Sequence, residues 1–317
     1  MKKLTLLFYF IFPILGNAQN IEQTIILKQV KGSLSGVLLS PQTTEKIPLV
    51  LIIAGSGPTD GDGNSMQGFK PYSYKMIAEG MANKGIASFR YDKRGVGNSR
   101  SAMTKESDLV FDTYVQDACQ WIDTLRHTNK FSKIIILGHS EGSLIGMIAS
   151  QNRRVDTYIS LAGTGRAIDE ILNEQMKNQP TPLPDSVVNE IKSNLLLLKM
   201  GQPIPKLMQS FVIISLFRPS IQPYMISWLK YTPTEEIKKV KVPTMIIQGT
   251  TDIQVPVSDA QLLAKAKPEA KLLLIEGMNH VLKDAPADRV ENAKTYSDPN
   301  LPLSKGLVEG ILDFIKK

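Results

Sequence analysis

The sequence predicts an α/β fold with a mostly parallel eight-stranded sheet flanked by helices. The first observation is a series of short, continuous apolar runs, which are typical of strands buried on both faces. The second is that helical patterns separate most of these runs, so that strand and helix alternate along the chain. The third is composition: 42% of the 317 residues are hydrophobic and 21% are charged, as expected for a globular protein with a substantial core.

The predicted sheet begins with two antiparallel strands, at residues 25–30 and 36–39. Six further apolar runs complete it, at residues 48–54, 85–91, 133–137, 156–161, 243–248 and 271–275. Helices are predicted at residues 72–83, 112–126, 140–150, 258–266 and 303–315. This order favours a parallel sheet that is covered by helices on both faces.

The first eighteen residues predict a secretory signal peptide. Lys2 and Lys3 form a positive start, residues 4–15 are almost all apolar, and small residues precede a cleavage point after Ala18. The apolar run is shorter than the roughly 20 residues that span a membrane, so no stable membrane anchor is expected. An uncleaved anchor or a first core strand is the alternative. We therefore expect an exported protein, periplasmic or extracellular.

Charge and cysteine content narrow the function classes. The formal net charge of +7 is spread along the chain, and its one short cluster, residues 238–241, is typical of a solvated helix end rather than a nucleic-acid site. The single cysteine, Cys119, excludes an internal disulfide and is predicted to be a small buried side chain. The sequence does not indicate an oligomeric state.

Residues 165–240 interrupt the alternation of strands and helices. The segment has no clear strand pattern, is rich in leucine, methionine and proline, and is too long for a loop in a compact domain. Ligands of open α/β sheets bind outside the carboxyl ends of the strands, where this segment emerges, so we predict a helical cap. Helices packed beside the sheet are the alternative. The predicted organisation is a signal peptide (1–18), a core (19–164 and 241–317) and an inserted cap.

A nucleophile motif lies between a predicted strand and a predicted helix. Residues 138–142 read Gly-His-Ser-Glu-Gly, and G-x-S-x-G at such a junction is typical of a nucleophile elbow. The tight turn lifts the hydroxyl of Ser140 above the sheet. Side chains at positions 138 and 142 would collide with neighbouring backbone, which explains both glycines. Ser140 is therefore the predicted nucleophile.

A serine nucleophile needs a base, usually a histidine that is held by an acid. The chain has three histidines. His127 precedes the strand of the elbow and is expected at the opposite edge of the sheet. The side chain of His139 should point away from the Ser140 hydroxyl. His280 follows the last predicted strand, at the edge where the elbow lies, and is the predicted base.

The acid and the oxyanion donors are predicted from loops at the same edge. Asp252 follows strand 243–248 and lies between the serine and the histidine in chain order, the order that accompanies a G-x-S-x-G elbow; Asp284 ranks second. The oxyanion of a tetrahedral intermediate needs backbone N–H donors. We assign them to Glu141, which follows the nucleophile, and to Ser56 in the loop after strand 48–54, with Gly55 as its neighbour.

A polar loop at residues 60–64, Asp-Gly-Asp-Gly-Asn, is similar to the start of a calcium-binding loop. An EF-hand requires glutamate at its twelfth position, where Pro71 stands, and the glycine is misplaced. We therefore predict a polar turn at the site entrance, no metal and no cofactor.

With these residues in place, the chain resembles the α/β-hydrolase superfamily over nearly all of its predicted mature length. It is most similar to bacterial exported esterases close to the serine aminopeptidase S33 group. Besides the elbow and the loops of Asp252 and His280, the resemblance rests on residues 51–58 and on the Asp-x-Arg-Gly-x-Gly-x-Ser segment within residues 90–99.

The resemblance implies a supporting role for Asp92, Arg94 and Gly97, because this segment is mainly structural in the family. The chain departs from the pattern at Ala54, where many relatives have histidine. The departure leaves the backbone donors of the oxyanion hole in place, but it weakens any transfer of substrate specificity from those relatives.

The residues and the resemblance together predict a serine hydrolase that cleaves small-molecule carboxylic esters through an acyl-enzyme. The alternative is an aminopeptidase of the S33 type, which would need acidic groups to hold a free amine. Glu141, Asp169 and Glu170 are the candidates for that role. A third class, a non-catalytic binding protein on this scaffold, is disfavoured because serine, histidine and acid are all present.

Overall fold

The computed structural model describes residues 20–66, 68–103, 105–179 and 181–316. The predicted signal peptide, residues 1–18, lies outside the described residues. The described chain forms one sheet of eight strands. In chain order these are β1 (Asn20–Lys28), β2 (Ser33–Pro41), β3 (Ile47–Ile53), β4 (Ala87–Tyr91), β5 (Phe131–His139), β6 (Thr157–Leu161), β7 (Thr244–Gly249) and β8 (Lys271–Ile275).

The spatial order of the strands is β1-β2-β4-β3-β5-β6-β7-β8. β1 pairs antiparallel with β2, and β2 pairs antiparallel with β4, whereas the remaining neighbours are parallel. The predicted fold class is therefore confirmed. The first strand begins at Asn20, earlier than predicted. Residues 20–24 of this edge strand are exposed and, apart from Ile21, polar, so the apolar pattern did not indicate them.

Helices cover both faces of the sheet, and short 3₁₀ turns lie at Gly97–Ala102, Glu106–Asp108, Pro219–Ile221 and Thr295–Ser297. The helices are α1 (Ser73–Ala82), α2 (Phe111–His127), α3 (Glu141–Asn152), α4 (Ile168–Lys177), α5 (Asp185–Lys199), α6 (Phe211–Phe217), α7 (Gln222–Trp228), α8 (Pro233–Lys239), α9 (Val257–Ala266), α10 (Arg289–Lys294) and α11 (Leu307–Ile315). The sequence analysis did not predict α10. Its signal is local: the Asp288 carboxylate accepts the N–H groups of Val290 and Glu291 and so caps the helix.

The two faces of the sheet support two apolar cores. Successive residues of β3 alternate between them: Leu49 and Leu51 belong to the core that contains α2 and α3, and Val50 and Ile52 belong to the core that contains α1 and α11. Cys119 of α2 is buried in the first core, and burial raises the pKa of its thiol. Because the strands are packed between these two cores, the points where the loops leave the carboxyl edge of the parallel strands are held in place.

Helices α4 to α8 connect β6 to β7 and occupy the segment for which a cap was predicted. Buried side chains of these helices, among them Ile191, Phe217 and Met225, join the core on the α2–α3 face. The division of the chain into a core and a separate cap stays a prediction. Within the described residues, no helix combines the length and the apolar character that a membrane crossing requires.

Candidate active site

Ser140 occupies the sharp turn between β5 and α3. Its φ of 54° and ψ of −121° are strained for a residue with a side chain. A Cβ on Gly138 would lie 2.2 Å from the carbonyl oxygen of Gly142, and a Cβ on Gly142 would lie 2.2 Å from that of Ile53. Backbone contact on both sides thus excludes any larger residue, and the turn presents Ser140 at the carboxyl edge of the sheet.

His280 and Asp252 lie beside Ser140. The Nε2 of His280 is 3.1 Å from the Oγ of Ser140, and its Nδ1 is 2.8 Å from Oδ2 of Asp252. Because Nδ1–H donates to the carboxylate, the lone pair of Nε2 faces the serine hydroxyl. The side chains of His280 and Asp252 are 7% and 1% exposed. The structure therefore brings the three predicted side chains into one hydrogen-bonded chain.

The carboxylate of Asp252 is held on both oxygens. Oδ1 accepts the backbone N–H groups of Gln254 and Val255, at 2.8 and 2.9 Å, and Oδ2 also accepts Nε2–H of Gln248 at 3.0 Å. Burial by itself would raise the pKa of Asp252, but His280 and the donated N–H groups outweigh it and bring the pKa below its ordinary value. Asp252 is therefore an ionised, fixed partner for His280. Gln248 was not predicted from the sequence.

The other candidates for base and acid have different partners. His127 ends α2, is exposed, and has its Nδ1 2.6 Å from the carbonyl oxygen of Asp123. Asp284 accepts a hydrogen bond from the hydroxyl of Ser304.

His139 forms a second polar chain that the sequence analysis missed. Its Nδ1 is 2.8 Å from the hydroxyl oxygen of Tyr74, its Nε2 is 2.9 Å from the carbonyl oxygen of His280, and the Tyr74 hydroxyl accepts the N–H of Gly55 at 3.1 Å. Burial, and then the neighbouring His280, lower the pKa of His139 to about 3. The neutral ring therefore accepts from Tyr74 and donates to His280. It links three loops that are distant in the chain, so no local spacing could reveal it.

The predicted oxyanion residues lie around the nucleophile. Ser56, Glu141 and Ser140 line one cavity. Glu141 is the first residue of α3, so its N–H has no acceptor within the helix, and the helix dipole favours negative charge there. Gly55, the neighbour of Ser56, already donates its N–H to the Tyr74 hydroxyl.

The cavity beside Ser140 has a volume of about 230 Å³. Helices α4, α6 and α7 contribute much of its apolar wall. The apolar residues that line it are Leu144, Ile168, Ile171, Leu172, Leu216, Ile221, Met225, Trp228 and Val255. Such a wall suits an uncharged, largely apolar group next to the nucleophile.

The acidic candidates for holding a free amine have partners of their own or lie outside this wall. Glu141 is the acidic residue among those that line the cavity, and its Oε1 is 3.2 Å from Nζ of Lys93. Asp169 is paired with Lys199 at 2.6 Å. Asp169 and Glu170 are not among the lining residues.

The polar loop at residues 60–64 forms a compact turn. The Asp60 carboxylate accepts the N–H groups of Asp62 and Asn64, and Asp62 pairs with Arg90 at 2.8 Å. Among the described residues, no group of three or more His, Cys, Asp or Glu side chains is arranged to hold a metal ion.

Comparison with known proteins gives consistent matches. A profile of the family "Serine aminopeptidase, S33" matches residues 72–284. Esterase EstD of Thermotoga maritima is 25% identical over 257 residues; the match covers 79% of this chain and 58% of EstD, so this chain spans little more than half of that relative.

Solved structures show the same fold. Est1E from Butyrivibrio proteoclasticus superposes with a TM-score of 0.60 at 19% identity, over 93% of this chain and 99% of Est1E. A structure of Est1E with bound ferulic acid gives a TM-score of 0.59 at 18% identity, over 92% and 100% of the two chains.

Proposed function

Because this chain belongs to the serine aminopeptidase S33 family of the α/β-hydrolase superfamily, we propose that it hydrolyses carboxylic esters through an acyl-enzyme on Ser140. The observation that carries the proposal is the hydrogen-bonded chain from Ser140 through His280 to Asp252. A serine hydroxyl becomes a useful nucleophile when a neutral imidazole can take its proton. The elbow, the apolar cavity and the similarity to EstD support the same conclusion.

In the proposed reaction, Oγ of Ser140 bonds to the carbonyl carbon of the ester while its proton moves to Nε2 of His280. The carbonyl oxygen becomes an oxyanion, to which the backbone N–H groups of Ser56 and Glu141 donate hydrogen bonds. Collapse of this intermediate breaks the bond to the alcohol oxygen, which takes the proton from His280. Water then attacks the acyl-enzyme by the same route and releases the acid. Asp252 keeps the imidazole in one tautomer and stabilises its cationic form.

We propose that the substrate is a small, uncharged ester whose apolar part contacts helices α4, α6 and α7, which would then act as the cap. The pairing of Glu141 with Lys93 supports this choice over an aminopeptidase, because the acidic group in the cavity wall is already neutralised. A substrate with a free α-amine would lose hydration in the cavity without gaining an unpaired carboxylate.

The test is a panel of p-nitrophenyl acyl esters and aminoacyl-p-nitroanilides, measured with the wild-type protein and Ser140→Ala. We expect ester hydrolysis that Ser140→Ala reduces by at least about 10³-fold, because the nucleophile is lost. We also expect a fluorophosphonate to label the wild-type protein and not the variant.

Two outcomes would overturn the proposal in different ways. Cleavage of anilides without cleavage of esters would assign an aminopeptidase activity to the same serine. A folded wild-type protein that neither labels with the fluorophosphonate nor cleaves either series would exclude an activated serine. Circular dichroism and thermal unfolding of both proteins establish that they are folded.

A further inference from the structure

Lys93 is a buried lysine that the mechanism above leaves without a role. It follows β4 at the carboxyl edge of the sheet and is 3% exposed. Its Nζ donates to the carbonyl oxygen of Gly55 at 2.9 Å and to Oε1 of Glu141 at 3.2 Å, and it lies 4.1 Å from the centroid of the Tyr114 ring. Its ammonium group therefore bonds to Gly55, which precedes the proposed donor Ser56, and to Glu141, the other proposed donor.

Burying an ammonium group is costly unless its partners compensate for the lost hydration. An unbranched apolar side chain of similar length, such as methionine, would fill the same space without that cost. Since packing alone does not require a charge here, we attribute the presence of a lysine to the hydrogen bonds that its ammonium group donates. It holds the loop of Gly55 on one side and the elbow residue Glu141 on the other.

The carbonyl of Gly55 and the N–H of Ser56 belong to one peptide group. No described peptide bond is cis, so the two groups are trans and point in opposite directions across a rigid plane. A hydrogen bond that fixes the direction of the Gly55 carbonyl therefore fixes the direction of the Ser56 N–H. The same bond polarises the amide and makes its N–H a stronger donor.

We propose that Lys93 is a positioning residue of the oxyanion hole: it aims the Ser56 N–H by holding the Gly55 carbonyl, and it ties that loop to Glu141. The inference rests on the proposed ester hydrolysis at Ser140. Tyr74 supports the preceding peptide group, because its hydroxyl accepts the N–H of Gly55. The loop is thus held at both polar groups of Gly55, and Lys93 supplies the charged contact.

The test is the paired substitution Lys93→Met with Glu141→Gln, which removes both buried charges and leaves neither one unpaired. We expect kcat to fall by about 10-fold to 10²-fold with KM nearly unchanged, somewhat less than the loss of a direct oxyanion donor. Binding of a trifluoromethyl ketone, which forms a tetrahedral oxyanion adduct, should weaken by the same factor as kcat/KM. Binding of the carboxylic acid product should not change.

A matched control exists at the opposite edge of the sheet. Lys267 is 5% exposed, and its Nζ donates to the carbonyl oxygen of Val240 at 2.8 Å and to Glu269 at 2.6 Å. Lys267→Met with Glu269→Gln therefore removes the same kinds of contact away from Ser140. We expect this control to alter the melting temperature while kcat stays within about 2-fold of the wild-type value. The reason is that Lys267 and Glu269 do not contact the reacting atoms or the groups that position them.

The outcomes separate this inference from the proposed function. If the wild-type protein cleaves esters and the folded Lys93→Met/Glu141→Gln variant has wild-type kcat and ketone affinity, Lys93 does not position the hole. An equal loss of kcat in the Lys267→Met/Glu269→Gln control would mean that stability, not positioning, explains the effect. Failure of the wild-type protein to cleave esters or to react with fluorophosphonate would instead reject the proposed function itself.

Discussion

The proton of Ser140 can move only if His280 presents an unprotonated Nε2, and Asp252 decides which ring nitrogen carries the proton. Oδ1 of Asp252 is committed to the N–H groups of Gln254 and Val255, which leaves Oδ2 for the ring. The atom that faces Nδ1 must be a hydrogen-bond acceptor, as Oδ2 of a carboxylate is, because only an acceptor there keeps the proton on Nδ1. The catalytic role of Asp252 is therefore a matter of tautomer as well as charge.

Asp252→Asn tests this role. The asparagine oxygen should remain on the backbone N–H groups, so its amide N–H₂ would face Nδ1 of His280 and favour the tautomer with the proton on Nε2. We expect kcat for a p-nitrophenyl ester to fall by about 10⁴-fold with little change in KM. Asp284→Asn is the control, because Asp284 bonds to Ser304 rather than to His280. A wild-type rate in Asp252→Asn would remove Asp252 from the proposed mechanism.

At the scale of secondary-structure elements, the apolar helices beside the cavity should set the acyl preference. Leu216 of α6 lines the cavity, whereas Leu196 of α5 is 59% exposed and does not line it. Leu216→Trp should lower kcat/KM by about 10-fold for long acyl chains and by less than about 2-fold for acetate, because it reduces the apolar space. Leu196→Trp should leave the profile unchanged. Equal effects of Leu216→Trp on all chain lengths would contradict a role in acyl binding.

Elements with strong local signals, and the loops that meet at the carboxyl edge of the sheet, were predictable from the sequence, whereas the supporting contacts of Lys93 were not. The strand, turn and helix around Ser140 follow from a five-residue motif. The Gly138 requirement is local, because a Cβ there would meet Gly142, whereas the Gly142 requirement comes from Ile53 on the neighbouring strand β3. The positions of Asp252 and His280 follow from the rule that parallel strands end at one edge. Lys93 and Gly55 are 38 residues apart in the chain, and their contact depends on how β3 and β4 pair. The sequence analysis therefore missed it.

At the scale of the whole molecule, we propose that the chain is exported, as the signal-like residues 1–18 indicate. Expression in a bacterium with its own N-terminus should yield a mature protein in the periplasm or medium that begins at Gln19. Intact-mass measurement checks the cleavage point. Replacing Leu6 and Leu7 with arginine should keep the precursor in the cytoplasm, because it interrupts the apolar run. Recovery of uncleaved wild-type protein in the cytoplasm would contradict the proposal.

The buried His139 should couple the stability of the whole fold to pH. Its pKa in the folded state is about 3, below the ordinary value of 6.5, because burial and His280 disfavour its charged form. Between these values the unfolded chain binds a proton that the folded chain does not, so the free energy of unfolding falls as the pH is lowered from 6.5 towards 3. One such group contributes a slope of up to about 1.4 kcal/mol per pH unit.

His139→Gln removes this titration and keeps an amide that can donate to the carbonyl of His280. Denaturant unfolding between pH 4 and 6 should show a shallower pH dependence than the wild-type protein, by up to about 1.4 kcal/mol per pH unit. His127→Gln is the control, because it replaces an exposed histidine at the end of α2 and leaves the buried ring of His139 in place. Parallel slopes for the wild-type protein and His139→Gln would show that His139 is not held neutral. A shallower slope in His139→Gln would show that the folded protein keeps the His139 ring neutral. It would also show that this lowers the free energy of unfolding as the pH falls.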